Sequence, residues 1–115
     1  MEHLQITHLP EQMTDRAPDM TEIRFLAQMQ RGSMVHCTLQ AGETSRAGKH
    51  QTIEEMWYTL HGTGEVWLKN EQEEREETVL AGVGFAIPAN THFQVRNTGS
   101  CLLYTSDAAD DLTRV

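Results

Sequence analysis

The chain has 115 residues, 38% of them hydrophobic and 23% charged, a balance typical of one globular domain and unlike a disordered chain. Its 17 acidic and 9 basic residues give a net charge of -8, which argues against nucleic acid and anionic membranes as partners. The two cysteines argue against a disulfide framework and exclude a four-cysteine zinc site. No apolar run resembles a membrane span or a signal peptide, so we expect a cytoplasmic protein.

The sequence predicts an all-β domain that follows an irregular arm over residues 1–22. Short runs of alternating apolar and polar residues, separated by glycine, continue to residue 97. The predicted strands and strand pieces are Ile23–Gln28, Met34–Leu39, Met56–His61, Gly62–Lys69, Thr78–Leu80, Val83–Pro88 and His92–Asn97. Strands this short at this spacing favour a sandwich or barrel.

The acidic segment Asn70–Thr78 lies between two of these apolar runs. Charge runs are usually exposed to solvent, so this segment is predicted to be a solvated hairpin loop. Before it, Gly62 and Gly64 can adopt the positive φ angles of a tight turn, which predicts consecutive antiparallel strands on either side.

The last fifteen residues differ from the rest of the chain. Cys101–Asp110, CLLYTSDAAD, resembles the translation of an adapter from transposase-based sequencing libraries. We therefore predict a β domain over residues 23–100, truncated at its C-terminus, and a non-native tail over residues 101–115. The alternative is a genuine strand, because CLLYT has high β-propensity.

Two segments carry the spacing of a known motif pair. The first motif, G-x5-H-x-H-x3-4-E-x6-G, is met by Gly42, His50, Glu55 and Gly62. The second, G-x5-P-x-G-x2-H-x3-N, is met by Gly82 and Pro88. Over Gly32–Asn97 the chain resembles the cupin family.

The resemblance implies a cupin-like β-barrel, or double-stranded jelly roll, that often forms a homodimer. In the family the motif histidines and glutamate face the barrel interior and hold a divalent ion, which can be iron, manganese, nickel or zinc. Imidazole and carboxylate ligands on neighbouring strands suit such ions and leave coordination positions open for a substrate.

The chain departs from the motifs at three positions. Gly48 stands at the first motif histidine, and Phe93 stands at the histidine of the second motif. Asn90 replaces a glycine, a mild change because asparagine tolerates the left-handed conformation. His92 adjoins Phe93, but neighbouring strand residues face opposite ways, so His92 can ligate only if the register shifts. The resemblance thus implies a partial metal site of His50, Glu55 and His92.

Four further residues are predicted to line a ligand pocket. Phe93 replaces a ligand position with an apolar wall, which favours an apolar or aromatic molecule. Trp57 shares the strand parity of Glu55. Gln94 is a weak neutral oxygen donor, and His36 would contribute if its strand faces the lumen.

Two function classes stay open, and the sequence does not decide whether the chain is an enzyme. In the first, the barrel binds a small molecule with a divalent metal, which would polarise a substrate or activate oxygen. In the second, the barrel is a non-catalytic ligand-binding or sensory module whose metal site has decayed. A third reading is a fragment without function, because loss of strands after Ser100 would open a barrel edge.

Overall fold

The computed structural model describes residues 4–16, 20–99 and 101–110, with side chains described up to residue 99 except at His50. These residues form strands, turns and irregular segments, and none of them forms a helix that could cross a membrane. In chain order the strands are β1 Asp15–Arg16, β2 Glu22–Gln28, β3 Gly32–Gln40, β4 Gly48–His50, β5 Ile53–His61, β6 Thr63–Lys69, β7 Glu74–Leu80, β8 Gly84–Ile87, β9 Thr91–Asn97 and β10 Cys101–Asp110.

The strands form two antiparallel sheets. The larger sheet has the order β1-β2-β3-β10-β5-β8, and the smaller has the order β4-β9-β6-β7. Buried apolar side chains from both sheets form one core, made of Cys37, Leu39, Trp57, Val66, Val79, Ile87, Phe93 and Val95. The predicted all-β fold is confirmed.

Alternation along the strands determines which residues enter the core. On β3, Cys37 and Leu39 are 4% and 3% exposed and belong to the core, and Val35 packs against it. Full burial of an aliphatic side chain such as that of Leu39 contributes about 1.5–3 kcal/mol. Since successive strand residues face opposite sides, His36 and Thr38 lie on the outer face of the larger sheet.

Tight turns connect the strands at residues with positive φ. Gly62, between β5 and β6, has a φ of 93°, a conformation that glycine adopts without steric cost. Asn90, between β8 and β9, has a φ of 61°. The expectation that Asn90 would preserve the motif turn in place of glycine is confirmed, and this turn sets where β9 begins.

The prediction of a long acidic loop is wrong in its extent. The turn covers only Asn70–Glu73, where the Asn70 side-chain oxygen accepts hydrogen bonds from the amides of Gln72 and Glu73, both at 2.9 Å. From Glu74 the chain already pairs with β6. Because β7 is an edge strand, its acidic side chains reach solvent while its backbone completes the ladder.

The backbone of residues 101–110 forms β10 in the middle of the larger sheet. It pairs antiparallel with β3 on one side and with β5 on the other. The strand predicted as the alternative is therefore present, while the suggested origin of this segment stays a prediction. Residues 111–115 of the predicted tail lie outside the described residues.

We predict that a stop codon after Ser100 abolishes folding. Removal of β10 leaves β3 and β5 without their shared partner, in a domain whose stability is expected to be only about 5–15 kcal/mol. Urea unfolding followed by circular dichroism measures the effect. A stop codon after Asp110, which keeps β10, is the matched control and should leave a cooperative transition. Equal unfolding midpoints for the two proteins would contradict the central position of β10.

Candidate functional site

Gly48 and Phe93 face each other across the β4·β9 ladder. A β-carbon built on Gly48 would lie 3.4 Å from the Cζ atom of Phe93, so the phenyl ring packs directly over the glycine. Phe93 is 4% exposed and belongs to the core. These two positions are those at which the motifs carry histidines, and here an aromatic ring fills the space between them.

Glu55 lies inside the barrel and contacts Trp57. It is 8% exposed, and its Oε1 atom accepts a hydrogen bond of 2.7 Å from the indole nitrogen of Trp57. Glu55 and Trp57 are two residues apart on β5 and therefore share a face, as predicted. The bond holds the carboxylate beside the aromatic side chains.

Three rings form the apolar wall of this interior site. The Trp57 ring centroid lies 5.4 Å from that of Phe85 and 6.0 Å from that of Phe93, with the latter pair near an edge-to-face arrangement. Aromatic pairs at these distances attract each other beyond the effect of burial. Phe85 lies opposite Trp57 in the β5·β8 ladder, which brings it to this wall.

Thr91 supplies a hydroxyl group to the same face. It is 3% exposed, and no described group forms a hydrogen bond with its Oγ1 atom. A buried polar atom without a partner costs about 1–3 kcal/mol. Sequence reasoning missed Thr91, yet the two-residue period counted back from Phe93 places it on the inward face.

The predicted metal ligands are not brought together in the described part of the chain. The backbone of His50 pairs with that of Thr91, but the His50 side chain lies outside the described residues. His92 is exposed and lies on the outer face of β9, because no bulge shifts the register between Thr91 and Phe93. His92 therefore does not point toward Glu55, which corrects its prediction as a ligand.

Two predicted pocket residues also lie outside the interior. Gln94 is on the outer face of β9, where its Nε2 atom donates to the carbonyl oxygen of Ser45 at 2.9 Å. His36 is on the outer face of the larger sheet, opposite Arg24 on β2. Strand parity places both residues on outer faces, whereas Trp57 and Phe93 belong to the buried core.

Among the described side chains, the interior lacks a full donor set for a divalent ion. No three side chains of histidine, cysteine, aspartate or glutamate come together among the described residues. The phenyl ring of Phe93 takes the volume beside Gly48, and the Glu55 carboxylate already accepts a bond from Trp57.

His36 is 7% exposed, and its Nδ1 atom has no hydrogen-bond partner among the described groups. Burial lowers the pKa of His36 below its usual value of 6.5, and the nearby Arg24 guanidinium lowers it further. As the pH falls below 6.5, the unfolded chain therefore binds more protons at His36 than the folded chain does.

We predict that acidification through pH 6.5 lowers the free energy of unfolding, in part through His36. His36→Gln should flatten this dependence, while His61→Gln, at an exposed histidine, should leave it unchanged. Urea unfolding at about pH 7.5 and about pH 5.5 measures both slopes. A wild-type slope retained in His36→Gln would show that His36 is not responsible.

Comparison with known proteins agrees with this architecture. Among solved structures, the chain is similar to a protein from Bacillus halodurans, at 26% identity and a TM-score of 0.72 over 77% of this chain and 70% of that one. It is also similar to a predicted oxalate decarboxylase from Thermotoga maritima, at 17% identity and a TM-score of 0.74. That match covers 93% of this chain and 100% of the other. A third similar structure is Drosophila melanogaster CENP-C bound to CAL1, at 10% identity and a TM-score of 0.71. That match covers 82% of this chain and 78% of the other.

The similarity to the second and third structures concerns the fold alone.

No curated protein matches the chain. The family model described as the cupin domain matches residues 35–105, more than half of the sequence. The matched span runs from the core strand β3 to the first half of β10 and includes both motif segments. The chain therefore belongs to the cupin domain family.

Proposed function

We propose that this chain binds a small organic molecule inside its barrel without a chelated metal ion. Of the two function classes that the sequence leaves open, the non-catalytic ligand-binding or sensory module is the one that the interior residues support better. The proposed site consists of Trp57, Phe85 and Phe93 as apolar wall, with Glu55 and Thr91 as polar groups.

The observation that carries this proposal is the hydroxyl group of Thr91. It is buried on the same face as Phe93 and has no hydrogen-bond partner among the described residues. A ligand hydroxyl would satisfy Thr91, and its ring would pack on the aromatic wall. A hydroxylated aromatic compound combines both features.

The metal-dependent alternative has less support. It needs His50, Glu55 and His92 to converge on one ion, and the exposed His92 lies on the opposite face of β9 from Phe93. An ion held by the remaining two residues would have fewer protein ligands than the three typical of catalytic zinc sites. Iron, manganese, nickel or zinc would therefore bind weakly.

Self-association as a homodimer stays a prediction, with support from the outer face of the larger sheet. Four apolar side chains there are 40–65% exposed, namely Met34, Met56, Tyr58 and Leu60. Exposed apolar patches of this kind often mark protein contacts. A cytoplasmic location also stays a prediction.

The first prediction from this proposal uses the two indole N–H signals of the chain, one from Trp57 and one from Trp67. The protein is titrated with phenol or catechol and followed by two-dimensional ¹H–¹⁵N NMR. A ligand in the proposed site should shift the Trp57 signal, because it would contact both the indole ring and the Glu55 carboxylate to which the N–H group is bonded. Single Trp→Phe variants assign the two signals.

Thr91→Val removes the hydroxyl at nearly constant volume. The free variant should be more stable by about 1 kcal/mol, since a buried unsatisfied group is removed, and should bind phenol roughly threefold to tenfold more weakly. Thr98→Val, at an exposed threonine, should change neither quantity. A Trp57 signal that no probe moves, or unchanged phenol affinity in Thr91→Val, would refute binding at this site.

A second prediction concerns the two histidines that the motifs carry and this chain lacks. The double variant Gly48→His, Phe93→His should take up about one equivalent of Zn²⁺ or Ni²⁺, because it restores imidazoles near Glu55 and removes the ring that fills their space. Gly48→His alone should be destabilised by contact with Phe93.

Elemental mass spectrometry of the purified proteins measures the metal content. The wild type and the control variant Phe93→Leu should contain no more metal than the buffer background. Stoichiometric metal in the wild type that disappears in Glu55→Ala would contradict the proposal and favour the metal-dependent class.

A further inference from the structure

The outer face of the smaller sheet carries an open groove of about 460 Å³, separate from the barrel interior. Its lining comes from the segment before β4 and from strands β9, β6 and β7, and consists of Thr44, Ala47, Glu65, Val66, Trp67, Glu76, Gln94 and Arg96. The groove therefore crosses the whole sheet, and its side chains stand on a rigid antiparallel ladder.

The pairing of β9, β6 and β7 places polar side chains on either side of the Trp67 ring. Trp67 lies directly between Gln94 on β9 and Glu76 on β7. Directly opposite residues on one sheet face have β-carbons about 4.5–5.5 Å apart. An amide and a carboxylate thus flank the indole ring.

The next row of the ladder adds an ion pair. Arg96 lies opposite Glu65, and its Nη2 atom donates to the Glu65 carboxylate. On the other side of Trp67, His92 lies between Lys49 and Lys69. The His92 ring centroid is 6.3 Å from that of Trp67.

Hydrogen bonds outside the groove hold its side chains in place. The Trp67 indole nitrogen donates to Glu74 Oε2 at 2.7 Å, which restrains the ring. The Gln94 Nε2 atom donates to the Ser45 carbonyl at 2.9 Å, which restrains the amide and leaves its Oε1 atom as an acceptor. Side chains held in this way lose little freedom when a ligand binds.

The charges on this face balance, in contrast to the net charge of -8 of the chain. The rows hold three carboxylates, Glu65, Glu74 and Glu76, and three cations, Lys49, Lys69 and Arg96, apart from His92. A field close to neutral favours neither cations nor anions. The recognised molecule is therefore expected to be uncharged, polar and able to stack on an indole ring.

We propose that this groove binds a neutral saccharide. The apolar C–H face of a pyranose ring would pack on Trp67, and its hydroxyl groups would bond to the planar groups of Glu76, Gln94 and Arg96, which can each engage two neighbouring hydroxyls. The site is distinct from the barrel interior and does not depend on the function proposed for it.

The two indole signals also test this proposal. Titration with methyl β-D-glucopyranoside, methyl α-D-mannopyranoside, methyl β-D-galactopyranoside, maltose and cellobiose should identify at least one saccharide that shifts the Trp67 signal and leaves the Trp57 signal in place. The reverse pattern, with phenol, tests the interior site, so either proposal can fail alone.

Ligand-observed saturation-transfer NMR then measures saccharide affinity in variants. Trp67→Ala should weaken binding roughly threefold to tenfold, and Trp67→Phe should retain most of it, because a ring remains available for stacking. Tyr58→Ala, at an exposed aromatic residue of the other sheet, is the control and should have no effect.

The variant Glu76→Gln tests whether the groove binds a neutral saccharide or an organic cation. The amide keeps an oxygen acceptor, so saccharide affinity should change by no more than about twofold. No shift of the Trp67 signal with any saccharide would overturn the proposal. So would a shift caused by choline and lost in Glu76→Gln, or saccharide affinity unchanged in Trp67→Ala.

Discussion

The side chains of β9 alternate between the two faces of the smaller sheet, and both proposed sites depend on this alternation. Thr91 and Phe93 are buried on the inner face, whereas His92 and Arg96 are exposed on the outer face. A shift of one residue would exchange the two sets. The burial of Thr91, Phe93 and Val95 opposes such a shift, because it would expose these side chains to solvent.

At the two positions where the motifs carry histidines, this chain has a glycine, Gly48, and a phenylalanine, Phe93. Gly48 has no side chain, and the phenyl ring of Phe93 lies in van der Waals contact with the position that a β-carbon at Gly48 would take. The Phe93 ring thus packs against Gly48 at the point where the family motifs place two imidazoles. Glu55 remains buried because the Trp57 indole donates to it, which offsets part of the cost of removing a carboxylate from water.

Residue patterns predicted the interior better than the connections between strands. Two-residue periodicity placed Glu55 with Trp57 and left His92 on the far side of Phe93, since parity follows directly from strand geometry. Periodicity could not tell which face of β3 meets the core, so His36 was predicted in the pocket although Cys37 is the core residue. The acidic half of β7 was assigned to a loop because its pairing with β6 is a tertiary contact that charge composition does not report.

The two sites share strand β9 but differ in chemistry, because a pleated strand presents independent residues to its two faces. The inner face of β9 meets aromatic rings of the larger sheet. A buried hydroxyl there, such as that of Thr91, is costly when no described group bonds to it. The outer face meets solvent, where charges can neutralise each other in rows without a large desolvation penalty. Since the backbone ladder between them is rigid, substitutions on one face need not disturb the other. A strand of seven residues can therefore support an apolar ligand on one side and a polar one on the other.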